Sequence, residues 1–143
     1  MPPHPHFLEP LLKRSGGGAD AWALYADGRD VPVANQLEGA FDRTTRNRGL
    51  LGRDGLAPGV ALIIAPSNAV HTFSMRFPID LIFARRDGVV VKTREAVPSS
   101  RISFALRGFA VIELAAGAIA RSGVKVGDRL VVRKASYYSH GGG

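Results

Sequence analysis

The sequence predicts a mainly β fold, a compact sandwich or barrel of jelly-roll-like type, and three observations carry that expectation. Short apolar runs recur along the chain, as in Val60-Ala61-Leu62-Ile63-Ile64-Ala65, and are bounded by glycine, proline or aspartate. Asp27-Gly28 and Asp87-Gly88 each separate two such runs, where glycine accepts the positive φ of a tight hairpin turn. Helical spacing is confined to one moderate stretch and one short turn, so strands and helices do not alternate as a parallel α/β sheet requires.

In chain order, residues 1–20 combine prolines, His4, His6 and Gly16-Gly17-Gly18, a composition that predicts a flexible tail. A single folded domain is expected over residues 21–136, and residues 137–143, ending in three glycines, are expected to form a second tail. Ala21 to Ala26 and Val31-Pro32-Val33 flank the first Asp-Gly turn and predict a hairpin. Glu38 to Leu51 lacks proline and can gather Leu37, Phe41 and Leu51 on one face with Arg43, Arg46 and Arg48 on the other, which predicts a short amphipathic helix. Val60 to Ala65 reads as a strand covered on both faces. His71 to Phe77 alternates, placing His71, Phe73, Met75 and Phe77 opposite Thr72, Ser74 and Arg76, and Pro78 ends that expected strand. Leu81 to Ala84 and Val89 to Thr93 form the clearest hairpin. Phe109 to Leu114 predicts a strand, Ala118 to Ser122 a helical turn closed by Gly123, and Leu130 to Arg133 a last strand.

The 143 residues are 45% hydrophobic and 22% charged, enough for one continuous core. Cysteine is absent, which removes disulfides, thiolate nucleophiles and sulfur-based zinc sites. No stretch has the roughly 18 apolar residues of a membrane span, and the first residues lack the pattern of a secretion signal. As written, the chain is expected to be cytoplasmic, or periplasmic if a leader has been removed. Its formal charge of +7 favours anionic ligands. The basic residues are scattered without interleaved aromatics, so nucleic-acid binding is the weaker expectation. The four histidines include no helical pair four residues apart, and neither a metal nor another cofactor is expected.

Several ordered pieces carry a family resemblance. They are Gly49-Leu50-Leu51-Gly52-Arg53, the strand Ala61 to Ile64, Phe73-Ser74-Met75-Arg76-Phe77-Pro78-Ile79-Asp80, the pair meeting at Asp87-Gly88, Val111-Ile112-Glu113-Leu114-Ala115-Ala116-Gly117, and Gly123-Val124-Lys125-Val126-Gly127-Asp128. On these, Arg48 to Leu130 resembles the domain of unknown function 192 family, also called uncharacterised protein family 0127. The resemblance implies a compact β-sandwich or jelly-roll-like domain and brings no established activity. Phe77-Pro78 stands where the family usually carries Asn-Thr, and the leader of many members is missing here.

The chemistry-bearing residues gather around Asp80, a lone carboxylate in an apolar run. Burying it unpaired costs several kcal/mol, so it is expected to brace the fold, with Arg76 or a neighbouring strand as partner. If instead it serves a site, Arg76 clamps an anion and Asp80 orients it. Glu113 shares parity with Val111 and Ala115, is assigned to the less apolar strand face, and is expected to be exposed. Asp80 and Glu113 form the carboxylate pair of a rival hydrolase reading, which needs a separation of about 5 to 9 Å. His71 with Ser74 makes no catalytic triad, since no nucleophile elbow is present. Arg48 and Arg53 lie beside Arg43 and Arg46 near the expected helix end, where cations can converge on an anion. The expected function is a non-catalytic β domain binding a small anionic or polar ligand, or a protein partner, through His71, Ser74, Arg76, Asp80, Arg48 and Arg53.

Overall fold

A computed structural model describes residues 5–12 and 22–135. In chain order its elements are α1 (Glu9–Leu12), β1 (Trp22–Ala26), β2 (Gln36–Ala40), α2 (Arg43–Arg48), β3 (Val60–Ile64), β4 (Ala69–His71), β5 (Ile79–Ala84), β6 (Val90–Val97), β7 (Ile102–Phe104), β8 (Ala110–Ala115), α3 (Ala118–Ser122) and β9 (Leu130–Lys134). The fold is mainly β, as expected. Among the described residues it has three sheets and no closed barrel: a five-stranded sheet ordered β2-β3-β8-β5-β6 and the two-stranded ribbons β1-β9 and β4-β7.

The large sheet is antiparallel except for β2, which runs parallel to β3. Its three inner strands are apolar on both faces because both faces are covered. Ala61, Ile63, Ile82, Ile112 and Leu114 share one face with Leu24, Leu130 and Val132 of the β1-β9 ribbon and with Ile119 of α3. Leu62, Ile64, Leu81, Phe83 and Val111 share the other with Leu50, Met75 and Val97. Alternation along each strand thus divides one sheet between two cores.

The hairpin from β5 to β6 and the helical turn α3 stand where they are expected, with Gly88 at φ 92° and Gly123 capping α3 at φ 73°. Four expectations are corrected. The helix proposed over Glu38 to Leu51 is a strand at Gln36–Ala40 followed by only six helical residues. Parallel pairing with β3 takes the backbone of residues 36–40, and Asp42 starts the helix by accepting a hydrogen bond from the Thr45 amide at 2.8 Å.

The strand expected from His71 to Phe77 stops at His71. Beyond it the chain turns, with the Met75 amide on the Thr72 carbonyl (3.1 Å) and Ser74 at φ 64°. Buried Thr72 holds this turn: its hydroxyl donates to the Pro98 carbonyl (2.7 Å) and accepts from the Arg101 amide (2.9 Å). The turn at Asp27-Gly28 forms, but β1 keeps only a bridge from Leu24 to Ala34 and pairs over its whole length with β9.

Finally, residues 5–12 are not a loose part of the expected tail over 1–20. Leu8 is fully buried in the first core, and the Phe7 amide donates to the Arg86 carbonyl at 2.9 Å. The expectations for His4, Gly16 to Gly18, Ala21 and residues 137–143 lie outside the described residues.

Candidate ligand cleft

Asp80 occupies a bulge. Ile79 pairs with Val97 and Leu81 with Arg94, so β6 carries two residues, Glu95 and Ala96, opposite this one aspartate. The bulge withdraws the Ala96 amide from the ladder, and Oδ1 of Asp80 accepts it at 2.8 Å. Oδ2 accepts the amides of Gly117 (3.1 Å) and Ile119 (2.9 Å), which open α3. Gly117 has no side chain to cap the helix, and Asp80 supplies the acceptor from across the sheet. With no exposed surface and three internal donors, this carboxylate ties β5, β6 and α3 together. Of its two expected partners the neighbouring strand holds, through the Ala96 amide of β6, whereas Arg76 is elsewhere, exposed and ion-paired with Asp54.

Glu113 is different. It pairs in register with Leu62 on one side and Leu81 on the other, at the centre of the second core's face. The expectation of exposure is wrong: Glu113 is 2% exposed. Its face is covered by Leu50, Met75 and the turns that carry them, which local parity does not reveal. Among the described residues no group donates a hydrogen bond to its carboxylate. Burial raises its pKa from the ordinary 4.5 to about 7, and the positive charge of Arg53 opposes that rise.

A cleft of about 290 Å³ opens over Glu113. Its walls are the end of α2 with the turn to Leu51, the segment from Ser67 to His71, and Met75 and Ile64. Gly49 closes α2 at φ 48°, and Oε1 of Glu113 lies 3.6 Å from where a Cβ on it would stand. Arg48, next to Gly49, is exposed, and its side chain makes no hydrogen bond or ion pair among the described residues. A second cleft of about 350 Å³ adjoins the first, shares Arg48, Gly49 and Leu51, and ends at the Arg53 to Glu38 ion pair (2.8 Å).

The structure therefore brings together Arg48 and His71 around Glu113 and sets Arg53 in the adjoining cleft. It does not bring Ser74, Arg76 or Asp80 to either one. Asp80 and Glu113 project from opposite faces, because Asp80 pairs with Leu114 while Glu113 pairs with Leu81. They cannot flank one bond, and the two-carboxylate hydrolase arrangement does not exist here. Asn47, Ser67 and Met75 line the cleft without having been singled out from the sequence, where isolated residues on turns carry no pattern. The signal for Glu113 was present: an acid inside Ala110-Val111-Ile112-Glu113-Leu114-Ala115 has few exposed places to go. Among the described residues no three metal-ligating side chains converge.

No curated protein matches the chain. Among solved structures, a protein from Sinorhizobium meliloti 1021 described as a "putative transcription regulator" is 26% identical with a TM-score of 0.67, covering 84% of this chain and 98% of that one. A protein of unknown function from Novosphingobium aromaticivorans DSM 12444 is 22% identical with a TM-score of 0.66, covering 77% of this chain and 82% of its own; at that identity the likeness shows the fold. A family model described as "Uncharacterized ACR, COG1430" matches residues 25–132, and the chain therefore belongs to the DUF192 family.

Proposed function

We propose that this domain is a non-catalytic binding module whose cleft over Glu113 receives a small polar ligand bearing an anionic group. One observation carries the reading: a buried carboxyl that, among the described residues, has no internal donor lines an open cleft beside an arginine whose side chain has no partner among them. Buried polar groups are normally satisfied within the protein, and one left facing a cavity awaits a partner. Arg48 supplies the fixed positive charge and Glu113 a hydrogen-bonding group that burial keeps about half protonated near pH 7. Of the residues expected to bind, Arg48 and His71 contribute directly, and Arg53 borders the site through the second cleft. Asp80 holds the sheet that carries them. A thermal-shift screen against organic acids, sugars and nucleotides tests this, since a ligand that binds the native state raises the melting temperature in a dose-dependent way. A hit lost in Arg48→Ala supports the reading; flat responses to every class up to millimolar concentration refute it.

Nucleic-acid binding is a second reading, favoured by the formal charge of +7 and by the description of the S. meliloti neighbour. Against it, Arg29, Arg53, Arg76 and Arg85 are each paired with an acid, so part of the basic charge is matched locally. Affinity for a DNA duplex that falls steeply and log-linearly with salt is the signature it requires, and the cleft reading predicts none.

A further inference from the structure

The cleft's lining narrows the ligand. Carbohydrates and nucleobases are typically held by an aromatic face, and no phenylalanine, tyrosine or tryptophan lines this cleft. A phosphate dianion calls for several convergent donors, whereas here Arg46 is already turned to the Phe41 carbonyl (3.2 Å) and Arg48 is the guanidinium left unengaged. Leu50, Ile64, Val70 and Met75 form an apolar stretch of the wall beside the polar Asn47, Ser67 and His71. We propose that the cleft binds a short aliphatic monocarboxylate, whose carboxylate is shared between the Arg48 guanidinium and the protonated carboxyl of Glu113 while its carbon chain lies against Ile64 and Met75.

This rests on the binding reading above and adds the ligand's class and the proton's place. In the complex the Glu113 hydroxyl donates its proton as a hydrogen bond to a ligand oxygen, and the charge of the ligand faces Arg48. No covalent bond changes. Ionised Glu113 repels the same ligand, so binding is coupled to proton uptake. With half-protonation near pH 7, the binding-competent fraction falls about tenfold from pH 6 to pH 8. The charged or titratable groups packed around Glu113 are Arg46 and Arg48 on α2, Arg53 beyond it, and His71 on β4; β3 and β5 present Leu62 and Leu81. His71 faces the same cleft, so the test uses a Glu113 variant to isolate the carboxyl's own contribution.

Isothermal titration with butyrate, lactate, inorganic phosphate and glucose, each at pH 6 and pH 8, makes the test. The expected result is that the monocarboxylates bind, about tenfold more tightly at pH 6. Arg48→Ala weakens them at least tenfold, and Glu113→Gln, neutral at both pH values, removes most of the pH dependence. Full pH dependence persisting in Glu113→Gln places the effect on another group and overturns the inference. Phosphate or glucose binding without the monocarboxylates overturns the ligand class and leaves the binding module standing. If no probe binds and the wider thermal-shift screen is also flat, both readings fail together.

Discussion

Glu113 carries a proton into the sheet that the unfolded chain releases at ordinary acidity. Its folded pKa of about 7 lies above the usual 4.5, so between those values the native state binds more protons than the unfolded state. Stability from this group is therefore complete below pH 4.5 and is lost as the pH rises through 7, at a cost of roughly 3 kcal/mol. Urea denaturation at pH 5 and pH 8 should show wild type losing some 2 to 3 kcal/mol more than Glu113→Gln over that interval; parallel profiles contradict it. Asp80 is held differently, with both its oxygens accepting backbone amides. Asp80→Asn turns one acceptor into a donor facing donors and should cost about 3 kcal/mol. A loss below about 1 kcal/mol by chemical denaturation contradicts the brace. The brace was legible in sequence as an acid among core residues, and so was a partner on a neighbouring strand, but the particular amides were not. Backbone amides from a bulge and a helix start leave no side-chain signature, so attention fell on Arg76.

At the scale of elements, the cleft depends on two turns that periodicity could not find. The residues after His71 alternate as a strand would, yet they turn, and Thr72 adds side-chain bonds to Pro98 and Arg101 to its backbone bonds with Ser100 and Arg101. Thr72→Val keeps the shape, removes that hydroxyl, and strands the Arg101 amide and Pro98 carbonyl. It should cost about 1 to 3 kcal/mol, and faster amide exchange from residues 69–76 and 98–104 would locate the loss. Unchanged exchange there would show that Thr72 does not hold the turn. The helix α2 was predicted too long because its arginines and apolar residues fit a helical wheel equally well in the strand before it. Asp42, capping Thr45, marks the true start. Hairpins read from Asp-Gly fared by their second arms: β6 is a long run of strand formers, whereas Val31 to Val33 is interrupted by Pro32 and leaves β1 to the distant β9.

For the whole molecule, the mainly β class was readable because the two-faced strands β3, β5 and β8 are apolar runs interrupted only by Asp80 and Glu113. What completes each core was not readable, since it comes from segments remote in sequence. Leu8 is the sharpest case: a leucine in a proline-rich start, fully buried between elements it meets only in the folded chain. Leu8→Ala should destabilise the domain by about 2 to 5 kcal/mol, measured as a shift in denaturation midpoint; a surface-like effect under about 0.5 kcal/mol contradicts its place in the core. The cleft likewise exists only once α2, β4 and the turn at Met75 close over the sheet, so neither its depth nor the burial of Glu113 follows from local pattern. The state of that buried carboxyl is the point on which the functional account turns, and a carbon-13 NMR titration of the Glu113 side-chain carboxyl reads it directly. The account predicts a midpoint close to pH 7 in the unliganded protein, and a midpoint near the ordinary 4.5 would contradict it.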